Sequence, residues 1–170
     1  MKRFLLSILI ITAFAITSSA QKFALVDMEY ILKHIPAYER AGEQLNQVSK
    51  KWQAEVEVLQ EEAQTMYKKY QAEAVFLSNE QKKQSEDAII AKEREASDLK
   101  KKYFGPEGEL FKKRESLMAP IQDEIYNAIK DIAELKGYCL ILDRASDAGI
   151  IFASPKADIS NDVLTKLGYN

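Results

Sequence analysis

Between Tyr38 and Ala74 the apolar and small residues fall at Tyr38, Ala41, Leu45, Val48, Trp52, Val56, Leu59, Ala63, Met66, Tyr70 and Ala74, in steps of three and four. Such steps keep every one of these side chains on one narrow stripe of an α-helix, which is the seam of a coiled coil. Two doubled fours, Val48-Trp52-Val56 and Met66-Tyr70-Ala74, act as stutters that locally unwind the supercoil. Pro36 stands where a helix tolerates proline, in its first turn, and no Gly or Pro interrupts residues 43–102. A seam of this length needs a partner helix of similar length. An arm of about 40 residues reaches roughly 60 Å at 1.5 Å per residue.

A partner within the chain requires a turn, and two places offer one: Leu77-Ser78-Asn79-Glu80 and Phe104-Gly105-Pro106-Glu107-Gly108. Turning at the second would leave the outgoing helix far longer than the returning one. The tip is therefore expected near residues 77–79, where Ser78 or Asn79 can cap the next helix through its side-chain oxygen. Gly105-Pro106 then becomes a break inside the returning helix, because proline lacks a donor and clashes with the preceding turn. That helix carries Ile89, Ala96, Leu99 and Tyr103, and beyond the break Phe111, Met118, Ile121, Ile125, Ala128, Ile132 and Leu135. Asp98 with Lys102 and Glu109 with Lys113 are acid-first pairs four apart. Pro120 is expected to bend the helix once more.

The two ends of the chain read differently. Residues 22–27, 138–142 and 149–153 have strand character, the last two joined by a turn-rich stretch over 143–148. Gly137 closes the long helix, and Asp158-Ile159-Ser160 opens a last short one ending near Leu167-Gly168. The expected fold is mainly α with a small β body: a long antiparallel coiled-coil hairpin, residues 37–136, inserted into a body made of 21–36 and 137–170. Three strands and a short helix form a thin core, so partner subunits are needed to bury the sheet. Phe23, Leu25, Leu140, Leu142, Ile150 and Phe152 are the strand residues assigned to that association.

Residues 1–20 read as a cleaved signal peptide: Lys2 and Arg3, an apolar run from Phe4 to Ile16, then Thr17-Ser18-Ser19-Ala20 as a small-residue cleavage site. The run is shorter than the ~20 residues that span a bilayer, and no cysteine follows Ala20 to carry a lipid. Losing Lys2 and Arg3 reduces the 24 basic residues by two against 26 acidic ones, leaving a net charge of −4 with His34 neutral. A net negative chain has no general attraction to nucleic acid. Cys139, the one cysteine, lies in an apolar stretch and is expected to be a small buried hydrophobe rather than a reactive thiol.

Catalytic chemistry has little to work with. One histidine, His34, and one cysteine with no ligand spacing make no metal cluster, and there is no phosphate-binding glycine loop or nucleophile signature. Neither an enzyme nor a cofactor is expected. Lys100, Lys101, Lys102 and Lys112, Lys113, Arg114 flank the Gly-Pro break. They read either as an exposed face balanced by Glu107, Glu109 and Glu115 or as a weak contact for acidic lipid head groups or acidic segments of a partner. Met66, Tyr67, Tyr70, Phe76, Leu77, Ile89 and Ile90 offer more apolar surface than one seam uses. Flexible Met and amphipathic Tyr suit adaptable binding, while filling a tip core is the plainer role.

The opening Phe23-Ala24-Leu25-Val26-Asp27-Met28-Glu29-Tyr30-Ile31, the motif Leu117-Met118-Ala119-Pro120-Ile121-Gln122, Lys136-Gly137-Tyr138 leading into Ile141-Leu142-Asp143, and the closing Ala157-Asp158-Ile159-Ser160-Asn161-Asp162-Val163-Leu164 together resemble the Skp/OmpH family of periplasmic chaperones. The resemblance implies a homotrimer in which strands form a small barrel and three hairpins hang around a cavity. It also implies ATP-independent holding of unfolded outer-membrane proteins in the periplasm. Familiar members are strongly basic and this chain is not, so a lipopolysaccharide site is not carried over. A structural or adaptor coiled coil that tethers envelope components is the alternative.

Overall fold

The computed structural model describes residues 21–146 and 149–169; the expected signal peptide, residues 1–20, lies outside the described residues. In chain order the elements are β1 (Lys22–Val26), α1 (Met28–Lys33), α2 (Pro36–Glu73), α3 (Asn79–Phe104), α4 (Glu109–Lys136), β2 (Tyr138–Asp143), a 3-10 turn (Pro155–Ala157) and α5 (Ser160–Leu167). They fall into two compact units, one taking the residues up to His34 and those from Ile125 onward, the other Ile35–Glu124.

In the first unit β1 and β2 pair in parallel, with Phe23 opposite Leu140, Leu25 opposite Leu142 and Val26 opposite Asp143. Parallel neighbours need a long crossover, which here is the whole chain between them. The other edge of β1 takes a single bridge from Leu25 to Asp158, where Ile159 N donates to Leu25 O at 2.9 Å. Ala24, Leu25, Val26, Ile31, Ile125, Ala128, Ile132, Ile159, Val163 and Leu164 form the core, with Ile31, Ile125 and Val163 sealed from solvent.

A polar knot closes the end of β1. Asp27 caps α1 by accepting from Tyr30 N at 2.8 Å. Arg144 then spans two carboxylates, Asp27 and Asp158, each at 3.1 Å. Buried Ser160 accepts from Asp27 N at 2.8 Å and donates to Asp158 at 2.6 Å. The hydrogen bond from the Tyr30 amide holds the Asp27 carboxyl below its ordinary value; burial, the next largest effect, opposes it, and Arg144 adds to the lowering.

Two expectations are corrected in this unit. Residues 149–153, read as a third strand carrying Ile150 and Phe152, form no strand: Ile151 and Phe152 are 102% and 84% exposed. Among the described residues β2 has β1 on one side and no strand on the other, so the sheet stays two-stranded and the outer edge of β2 is open. Cys139 is exposed, its thiol 3.2 Å from Lys22 O, because among the described residues nothing covers that part of β2. Helix α1 was not anticipated; its six residues are too few to show a helical period.

In the second unit α2 and α3 run antiparallel. Ala41, Val56 and Ala63 of α2 and Ile89 and Ala96 of α3 are buried. Helix α2 ends at Glu73, and the chain turns through residues 74–78. Ser78 starts α3 with a capping box: Gln81 N donates to Ser78 Oγ at 3.3 Å and Ser78 N to Gln81 Oε1 at 3.0 Å. The end of α3 follows from Pro106, which drives Gly105 into an extended conformation with ψ 169°. Gly108, buried in that bend, has room for nothing more; a Cβ there would lie 2.8 Å from Tyr103 O and 2.9 Å from Lys102 O. Pro120 sits inside α4.

Candidate functional site

The candidate surface is the α2–α3 pair. Three polar clasps cross it. Nearest the Gly105 end, Trp52 and Tyr103 stack with ring centroids 4.7 Å apart and planes 5° from parallel, while Tyr103 donates to Glu55 at 2.6 Å. Midway, Lys92 meets Glu62 at 3.2 Å and Glu95 at 2.8 Å. Nearest the tip, the Tyr70 hydroxyl donates to Glu86. These contacts raise the Tyr103 and Tyr70 hydroxyls above their usual value, through Glu55 and Glu86 respectively. The Lys92 ammonium is raised by Glu95 first and then Glu62.

The seven apolar candidates separate into two groups. Met66, Tyr70, Leu77 and Ile89 come together around a groove of about 440 Å³ between the helices, with Ile89 buried and the other three half-buried. Tyr67, Phe76 and Ile90 stand apart from it, 48%, 86% and 60% exposed. Tyr67 instead borders a second groove of about 740 Å³ with Ala63, Ala96, Glu57, Glu61 and Glu93. Sequence reading missed Val75 and Val58, 81% and 53% exposed. Val75 follows directly on the last seam residue, Ala74, which was the available signal.

Lys100, Lys101, Lys102, Lys112, Lys113 and Arg114 are all exposed. Lys112 pairs with Glu109 at 3.3 Å, Lys102 lies 5.9 Å from the Tyr103 ring centre, and Lys100 borders the groove lined by Gln53, Val56, Glu57, Gln60 and Phe104. The ion pairs expected for Asp98 and Glu109 are formed with other partners: Asp98 meets Arg94 at 3.9 Å and Glu109 meets Lys112. Exposed partners a turn to either side are nearly equivalent, so this choice is worth little. In the other unit the strand residues Phe23, Leu140 and Leu142 are 56%, 46% and 38% exposed, whereas Leu25 is buried and Ile150 half-buried.

Among the described residues no cluster of three or more His, Cys, Asp or Glu could hold a metal ion, and no helix is long and apolar enough to cross a membrane. What remains is a helical hairpin with grooves and exposed apolar side chains, joined in sequence to a small two-stranded body. That defines the class: an α-helical hairpin protein with a small two-stranded sheet. The chain belongs to the OmpH-like outer membrane protein family, whose model matches residues 22–167. It is 24% identical over 161 residues to the chaperone protein Skp of Pectobacterium atrosepticum, covering 94% of this chain and 93% of that one. Its fold is that of an OmpH-like outer membrane chaperone from Caulobacter crescentus CB15, with a TM-score of 0.70 at 13% identity, covering 88% of this chain and 85% of the other.

Proposed function

We propose that this chain is an ATP-independent holdase of the periplasm that binds unfolded outer-membrane proteins and keeps them from aggregating. The observation that carries the reading is the apolar surface left uncovered on the α2–α3 pair and its tip: Val58, Tyr67, Val75, Phe76 and Ile90. Exposed side chains of this size on a folded arm gain nothing for its own stability and suit contact with many apolar segments. Family membership and the name of the Pectobacterium relative point the same way. Because the mature chain is net acidic, clients are held by apolar contact more than by charge.

The protein acts as a homotrimer whose arms enclose the client. Support comes from the body: Phe23, Leu140, Leu142, Ile151 and Phe152 are exposed there, and the outer side of β2 has no strand neighbour among the described residues. An open edge flanked by apolar side chains is a template for another chain. In the trimer, that edge and residues 149–153 pair with neighbouring copies.

The test is dilution of a urea-unfolded β-barrel membrane protein into buffer with and without the chaperone, without ATP. A modest excess of trimer abolishes the rise in light scattering; unchanged scattering at severalfold excess defeats the reading. A solution mass of one chain at micromolar concentration defeats the trimer.

A further inference from the structure

The hairpin is not uniformly built. From residue 64 to residue 88, which takes in the last turns of α2, the tip and the first turns of α3, no residue is buried. Immediately beyond, Ala63 and Ile89 are buried, as are Val56 and Ala96 further on. The inward positions of α3 explain the difference. Up to Tyr103 its least exposed residues are Lys82, Ser85, Ile89, Lys92, Ala96, Leu99 and Tyr103, spaced in alternating threes and fours. The three nearest Gly105 are apolar or aromatic, and one of them stacks on Trp52. The two nearest the tip are a lysine and a serine. In place of packed side chains, the distal stretch has the 440 Å³ groove around Met66, Tyr70, Leu77 and Ile89, bridged by the Tyr70–Glu86 hydrogen bond. Lys92, held by Glu62 and Glu95, marks the boundary between the two regimes.

We propose that the distal hairpin, residues 64–88, opens as a unit: α2 and α3 part on the tip side of the Lys92 clasp, and the seam side chains Met66, Tyr70 and Leu77 take up apolar segments of the unfolded client. Segments with few buried apolar contacts open locally at far lower free energy than packed ones. A coiled-coil seam is also chemically well matched to such a client, since the surface that α3 leaves on α2 is a stripe of unselective apolar groups. Opening trades the contacts of a poorly packed seam for contacts with the client, while the Trp52–Tyr103 region keeps the helices in register. The inference rests on the holdase reading above and adds where the client enters.

Two measurements test it. Native-state hydrogen exchange reads opening without any client: amides of residues 82–88 should exchange about ten-fold or more faster than those of residues 96–103, in step with one another. Equal protection on both sides of Lys92 overturns the proposal. The second measurement uses Tyr70→Cys with Glu86→Cys in a Cys139→Ser background, bridged by a short bis-maleimide that contains a reducible disulfide. Bridged protein should need a severalfold larger excess to suppress scattering than the same double variant before bridging, and reduction should return it to that variant's own level. A matched bridge at Glu55→Cys with Tyr103→Cys should leave protection unchanged. Full protection with the distal bridge in place, or equal loss with both bridges, overturns the proposal. Failure of the unmodified protein to protect defeats the holdase reading, and the exchange pattern still reports on the opening.

Discussion

Replacing Ile125 by alanine removes three carbons from a side chain with no solvent exposure, in the unit that holds β1, β2 and α5. At about 0.8 kcal/mol per buried methylene the transfer loss alone is roughly 2.4 kcal/mol, and partial collapse of the space left behind brings the total to about 3–4 kcal/mol. The neighbouring residue supplies the control: Tyr126 is 65% exposed, and its replacement by alanine should cost less than about 0.5 kcal/mol. Urea unfolding at fixed chain concentration, followed by circular dichroism, reads both. With a slope near 2 kcal/mol/M, the Ile125→Ala midpoint should fall by about 1.5–2 M while that of Tyr126→Ala hardly moves. Equal shifts for the two, or less than about 1 kcal/mol for Ile125→Ala, would refute the placement of this helix face in a core.

Gly108→Ala should destabilise by about 1–3 kcal/mol, because the added carbon would press on three backbone atoms, whereas Gly42→Ala, with open space around it in a helix interior, should stabilise by about 0.5–1 kcal/mol; thermal melts distinguish the signs. Asp27 has a folded-state pKa below its unfolded value, so its contribution is fully present above about pH 4 and is lost as the pH falls through the folded value. The stability gap between wild type and Asp27→Asn should therefore be flat near neutrality and close in acid, and a gap that persists unchanged to pH 2 contradicts this. Lys92→Glu sets a third carboxylate beside Glu62 and Glu95 and should lower the melting temperature, and Glu62→Lys in the same chain should restore much of it; no recovery would mean that the clasp does not join α2 to α3.

Much of the arm is legible because its causes are local. A three-four spacing names the inward stripe of α2 from Ala41 to Ala63, and Ser78 or Asn79 as a side-chain cap marks the start of α3, where the cap is Ser78. Pro106 ends that helix through the residue before it, wherever the rest of the chain lies. In the candidate site the sequence offers only residue type, and type does not distinguish a side chain lining the groove, such as Met66, from one facing solvent, such as Phe76. A lysine at an inward position is equally silent until the carboxylates across from it are placed. Lys92 reads as ordinary surface charge in the sequence and as a clasp only once Glu62 stands opposite.

The sequence by itself determined that this protein has a long helical hairpin with strand-forming ends, since helical period, helix caps and breakers act within a few residues of themselves. Tertiary structure alone decided that β1 and β2 pair in parallel, that Arg144 ties Asp27 to Asp158, that Cys139 and Phe152 face outward, and that the distal hairpin buries nothing. The physical reason is range. Helix formation is a contest between near neighbours, whereas burial and strand pairing depend on which remote residues arrive on the other side.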